Sequence, residues 1–363
     1  MISKFCYGTC CLLSMMMVGD CIAKDESNEF NPKLFGFIQA DYYSSANNTQ
    51  LSSFHIRRAR LGVKGKIDKN LSYNLLGAYE GGNASEADIR ALNVFLRYQV
   101  DPSLSFRLGQ FKYHFDREGY TPAHSLPALQ LSLPTSRFVT KLGQTGSALR
   151  DIGLEASGKI KMGGGDALKY SIGMINGNGI NKLDENVSTT SSDKDLYTRL
   201  QYDLDGGLSL GAAVYQGTRL DGSDEVLESE SIWTVDASYD FADTNISGVF
   251  TRGKYSKINE SQVPKAYSVT AVSPFTHDID GLIRYSTYSS DSNRENNQLR
   301  QIDFGVNYYL TRKGRWGGTK LMVNYALRSA DSAATSRIWG DRGILVQGGN
   351  VANVWSLRLQ VTF

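Results

Sequence analysis

The side chains of this chain most able to act on a ligand are cations packed into one short segment. Residues 54–67 read Phe-His-Ile-Arg-Arg-Ala-Arg-Leu-Gly-Val-Lys-Gly-Lys-Ile. In an extended strand, alternation sets Arg58, Arg60, Lys64 and Lys66 on one face and Ala59, Leu61, Val63 and Ile67 on the other. A row of cations along a low-dielectric wall concentrates anions, and arginine offers a forked donor that matches phosphate oxygens. The same logic sends Arg97, Lys159, Arg199, Arg284 and Arg358 to that side, while Lys112, Arg117, Arg137 and Lys141 flank or occupy the stretch 113–150. Carboxylates share the face as well: Asp41, Glu80, Asp151, Glu155 and Asp303. With 39 basic and 37 acidic residues in all, mutual pairing is a serious alternative to anion attraction.

Other chemistry finds little footing. The four histidines (His55, His114, His124, His277) show no metal-ligand spacing, and no Gly-x-Ser-x-Gly, Walker or dinucleotide motif occurs. His114 and His124 read as polar loop residues. No catalytic residue, metal or cofactor is expected, and nothing beyond the inward-facing charges suggests nucleic-acid binding.

The elements that must carry these residues are strands. After residue 23 no run of 18 apolar residues occurs, which excludes a membrane protein built of helices. Aromatics at 11% argue against disorder, and 36 Gly, 20 Tyr and only 7 Pro suit twisted strands with tight turns. The final segment shows the pattern best. Trp355, Leu357, Leu359, Val361 and Phe363 share one face, opposite Ser356, Arg358, Gln360 and Thr362. Segments around 231–241, 299–310 and 319–329 repeat it. Sixteen such segments fit, each roughly the 9–11 residues of a tilted membrane strand; the one at 265–272 alternates least. The expected fold is all-β: an antiparallel transmembrane β-barrel of about 16 strands, apolar toward lipid and polar toward a wet lumen. A cation on the lipid side would cost about 2–4 kcal/mol at the midplane, so the strand-two cations are assigned to the lumen. Short polar connections (68–70, 101–103, 205–207) alternate with long ones (177–195, 219–230, 330–352). The stretch 113–150 carries three prolines and little alternation. A connection of that length is usually functional, and it is expected to fold inward and narrow the lumen.

The first 23 residues form a separate object, with Lys4, an apolar run to Gly19 and a small-x-small site at Cys21-Ile22-Ala23. They read as a signal peptide (1–23) preceding a barrel (24–363). All four cysteines fall inside it, so the mature chain would hold no disulfide and no cysteine metal site.

Several motifs together resemble the phosphate-selective porins O and P. They are Gly36-Phe37-Ile38-Gln39-Ala40-Asp41-Tyr42, Ile56-Arg57-Arg58-Ala59-Arg60-Leu61-Gly62, Leu108-Gly109-Gln110-Phe111-Lys112, Arg150-Asp151-Ile152-Gly153-Leu154, Gly305-Val306-Asn307-Tyr308-Tyr309 and the closing Leu357 to Phe363. The resemblance implies a sixteen-stranded homotrimeric porin of a Gram-negative outer membrane, with an inward third loop and an anion-conducting lumen. It extends the anion-attracting role to Arg57 beside Arg58 and Arg60, and it implies recognition of the terminal aromatic by the barrel-assembly machinery. Lys112, Arg137 and Lys141 are the candidates for its constriction. The partners expected are small anions, phosphate among them, and outer-membrane lipid. An anchor or adhesin acting through the long loops is the alternative, and an enzyme is the least supported reading.

Overall fold

The computed structural model describes residues 32–45, 52–80, 88–141, 149–177, 179–180, 194–220, 227–256, 261–334 and 351–363. The first half of the wall comprises β1 (Lys33–Ser45), β2 (Ser52–Lys66), β3 (Leu71–Glu80), β4 (Asp88–Asp101), β5 (Leu104–Lys112), β6 (Arg150–Lys161), β7 (Ala167–Ile175) and β8 (Asp195–Asp203). The second comprises β9 (Leu208–Leu220), β10 (Leu227–Phe241), β11 (Thr244–Ser256), β13 (Lys265–Thr276), β14 (Ile279–Ser289), β15 (Gln298–Lys313), β16 (Gly317–Ala330) and β17 (Val354–Thr362). A two-residue strand, β12 (Ser261–Gln262), pairs antiparallel with the end of β11, just before β13 takes up that pairing, and is not a full member of the wall.

Each long strand pairs antiparallel with its sequence neighbours, and β1 closes onto β17 from Phe37↔Thr362 to Ser45↔Val354. Closure satisfies every edge, which a sheet in hydrocarbon requires. The sixteen expected segments therefore form the barrel, and the weakest of them extends to Thr276.

The faces follow the alternation. On β17, Trp355, Leu357, Leu359 and Val361 are exposed outward, while Arg358 and Gln360 are 2% and 0% exposed. Exposed Leu, Ile, Val, Phe and Tyr recur on the other strands, whereas Gln39, Asp41, Glu155, Asp303 and Lys320 are buried inside. This inversion, apolar out and polar in, is the pattern of a barrel solvated by lipid. Short turns close one end. At two of them an aspartate caps its own turn: Asp68 Oδ1 accepts from the amides of Asn70 and Leu71, and Asp101 Oδ1 from Ser103.

Two departures from regular strand matter to the lumen. Between β1 and β2 the register passes from Gln39↔Arg58 to Ala40↔Ile56, so Arg57 is an extra residue in a β-bulge. On β5, Gly109 has φ +121°, and a Cβ there would run into the Val94 carbonyl on β4. Gly109→Ala should therefore destabilise the barrel by about 1–3 kcal/mol from backbone strain alone. Heat-modifiable gel migration of the refolded variant would show this as a lower unfolding temperature.

Candidate functional site

Residues 113–141 lie inside the barrel, held to its inner wall. Contrary to their unstructured look in sequence, they hold a short helix Arg117–Tyr120, a 3-10 turn Ala123–Ser125 and a nine-residue helix Leu133–Lys141. Pro134 did not preclude the last of these because it sits in the first turn, where no amide is required. Asp116 caps the short helix at the Gly119 amide and accepts from Thr135 Oγ1 at 2.8 Å. Glu118 accepts from the Ser132 amide at 3.1 Å. These two carboxylates hold the loop's halves together.

Side chains of the wall bind the loop through its backbone carbonyls. Gln360 donates to His124 (2.9 Å), Lys320 to Leu126 (2.8 Å) and Asn307 to Pro127 (2.8 Å). Three arginines repeat one clamp: a carboxylate from another strand and a loop carbonyl share one guanidinium. Arg358 holds Asp41 with two bonds of 2.7 Å and donates to Leu129. Arg284 holds Asp303 at 2.8 Å and Glu118 at 3.1 Å and donates to Gln130. Arg199 holds Asp236 at 2.6 and 2.9 Å and donates to Phe115. On the strand-eleven to strand-fourteen side, the helix Leu133–Lys141 buries Phe138 against Tyr255, Ala266 and Tyr288. At the loop's root Glu155 accepts from Arg107 (2.7 Å) and Tyr197 (2.5 Å) and meets His114 Nδ1 at 2.9 Å.

This arrangement corrects one expectation. Arg199, Arg284 and Arg358 face inward as the alternation required, but they are paired with carboxylates, so for them the pairing alternative holds. Their role is to seat the loop.

The strand-two cations have different surroundings. The bulge at Arg57 switches the parity of β2: Phe54 and Ile56 point outward before it and Leu61 after it. Arg57 lies within electrostatic reach of the lumenal Asp41, beside Arg58 and Arg60. Arg58 donates to Gln39 Oε1 at 3.1 Å, and the Arg60 guanidinium lies 5.5 Å from the centre of the Phe37 ring. Lys112 donates to the Thr121 carbonyl at 3.0 Å; the charges acting most on it are Arg150, Arg60 and Arg58, with Asp116 opposing. Arg150, absent from the sequence-based set, donates through Nε to Asn93 Oδ1 at 3.1 Å. The group thus brings together Arg57, Arg58, Arg60, Lys112 and Arg150 on one stretch of the lumen wall, beside the loop.

The remaining candidates lie elsewhere. Lys64 sits 5.1 Å from the Phe35 ring on the lumen side, and Lys66 is exposed at the end of β2. Arg137 stacks 5.2 Å from the centre of the Tyr288 ring on the opposite wall, and the Lys141 side chain falls outside the described residues. Among the described residues no group of three His, Cys, Asp or Glu could hold a metal ion.

Residues 33–202 match the family described as phosphate-selective porin O and P, which bears out the resemblance seen in the sequence. No curated protein matches the chain. Among solved structures, the anion-selective porin from Comamonas acidovorans superposes with a TM-score of 0.65 at 18% identity, covering 92% of this chain and 100% of that one. OmpF of Salmonella typhi gives 0.67 at 14% identity, covering 92% and 98%. OmpT, an outer membrane protein of Vibrio cholerae in its trimer form, gives 0.60 at 12% identity, covering 93% and 100%. The fold is that of the outer-membrane porins.

Proposed function

We propose that this outer-membrane porin is a passive, water-filled channel of a Gram-negative outer membrane that prefers small anions. One observation carries the reading: Arg57, Arg58, Arg60, Lys112 and Arg150 gather on the lumen wall beside the inward loop. Like charges held together in a narrow, low-dielectric passage raise the local concentration of counter-ions. Arg58 and Arg60 stand two residues apart on one face, and their forked donors suit an oxyanion such as phosphate. Lys64 and Lys66 prolong the positive face toward the short-turn end of the barrel, whereas Arg137 stacks on Tyr288 of the opposite wall, apart from it, and the Lys141 side chain lies outside the described residues. The solved porin from Comamonas acidovorans is described as anion-selective, in keeping with this reading.

The working unit is a homotrimer in outer-membrane lipid, matured by removal of residues 1–23, which lie outside the described residues. The apolar C-terminal face ending at Phe363 is what the barrel-assembly machinery engages. The chain needs no cofactor and performs no catalysis. The anchor or adhesin alternative rests on the loops 177–195 and 330–352, most of whose residues lie outside the described residues.

Purified protein in a planar bilayer under a KCl gradient is expected to give a reversal potential on the chloride side. Added inorganic phosphate should lower the chloride current if the arginines select oxyanions. A potassium-side reversal potential, or no conductance, would overturn the proposal.

A further inference from the structure

His124 lies at the centre of the cationic region, and the sequence gives no hint of it. It sits in the 3-10 turn of the inward loop, outside the spanning strands, and its backbone is fixed because Gln360 Nε2 donates to its carbonyl at 2.9 Å. Its ring lies 5.1 Å from that of Phe37, and the Arg60 guanidinium lies 5.5 Å from the same Phe37 ring. An Arg60–Phe37–His124 series thus joins the wall to the loop beside the strand-two cations. The Nδ1 of His124 is buried and has no hydrogen-bond partner. A buried ring nitrogen left unsatisfied is rare enough to ask what it serves.

The charges acting most on the ring all have one sign. Arg60 on β2, Lys112 at the loop's root, Lys313 at the end of β15 and Lys320 on β16 each bear on it. Acids on the packed elements are engaged by arginines: Asp41 on β1 is held by Arg358 of β17, and Asp280 on β14 by Arg312 of β15 at 2.9 Å. Burial, then these cations, hold the imidazole well below its ordinary range, down to about 4. At neutral pH the ring is therefore uncharged.

An anion in the passage changes that balance. It offsets the four cations and favours the imidazolium, and by reciprocity a proton on the ring favours the anion. We propose that His124 is a specificity-determining residue of the constriction, taking up a proton from lumen water together with the passing anion, so that anion preference strengthens in acid. This rests on the anion-channel reading above and adds to it a linkage between proton and anion.

The test is the chloride-to-potassium permeability ratio of the full channel at pH 7 and at pH 4, for wild type, His124→Gln and His124→Lys. At pH 4 the ring is about half protonated, and that charge together with the neutralisation of Asp116 should raise the wild-type ratio by about two- to threefold. His124→Gln should keep only the smaller rise that the protonation of Asp116 supplies. Asp116, whose carboxyl burial pushes up to about 6, still titrates in His124→Gln, so the comparison isolates the imidazole. His124→Lys should show the raised ratio already at pH 7. An unchanged acid response in His124→Gln, or no increase in His124→Lys, would overturn the linkage and leave the anion channel standing. Absence of chloride preference in wild type at pH 7 would overturn both.

Discussion

Replacing Arg284 and Arg358 together by alanine is expected to raise single-channel conductance and lower the barrel's unfolding temperature. Both guanidinium groups are almost wholly buried, at 1% and 3% side-chain exposure, and their partners Asp303 and Asp41 are fully so. Removing one partner of a buried pair costs about 3–5 kcal/mol, because the surviving charge stays out of water without compensation. Here the loss is structural in two directions. Asp41 and Asp303 are stranded in the wall, and the Leu129 and Gln130 carbonyls lose the donors that seat the loop. Water will enter to solvate the carboxylates, and the loop segment 126–130 is left with Lys320 and Asn307 as its remaining wall donors. A loop so loosened occupies the lumen less completely. Bilayer conductance and heat-modifiable migration read the two effects separately. A variant that unfolds earlier yet conducts like wild type would show that the helix Leu133–Lys141, with Phe138 seated against Tyr288, fixes the loop without the clamps.

These clamps also show where sequence reading stops. The parity of Arg199, Arg284 and Arg358 was legible, because alternation forces each away from the apolar face. Their commitment to carboxylates was not. Asp41 is 317 positions from Arg358, and the two meet only because closure sets Asp41 opposite Arg358 in the β1–β17 register. The other acceptor of each clamp is a backbone carbonyl, which has no residue identity to read. The strands themselves were legible almost to their ends because each carries one apolar face. The two-residue β12 was not, being too short to show a period.

Strand two marks an intermediate case. Simple alternation from Arg58 would send Arg57 toward lipid, and its inclusion came from the family resemblance alone. Yet the sequence does carry a physical signal: Phe54 and Ile56 are apolar at even positions, and Leu61 and Val63 at odd ones. Both pairs can face lipid only if one extra residue intervenes, and the bulge supplies it at Arg57. The helix in the loop and the place of His124 had no such signal, since both depend on contacts across the lumen.

The bulge makes neutralising Arg57, Arg58 and Arg60 together the sharpest test of selectivity. In a regular strand three cations in four residues could not share a face; here the inserted residue brings all three to the lumen. Each unit charge about 6 Å from the ion path contributes roughly 0.7 kcal/mol at the dielectric of water. Salt at about 0.1 M, with a screening length of about 10 Å, removes roughly half of that. Three charges then leave about 1 kcal/mol, so the triple glutamine variant should lose anion preference by about fivefold. Glutamine keeps the length and part of the hydrogen bonding, including a donor toward Gln39 in place of Arg58. The three clamps are untouched, so conductance in symmetric salt should change far less than the reversal potential. Raising the salt should shrink the difference between wild type and variant, because the effect is one of screened charge. If the permeability ratio instead survives the substitution, the selectivity resides in Lys112 and Arg150 at the loop's root, and the strand-two arginines serve mainly to hold β1 and β2 in their bulged register.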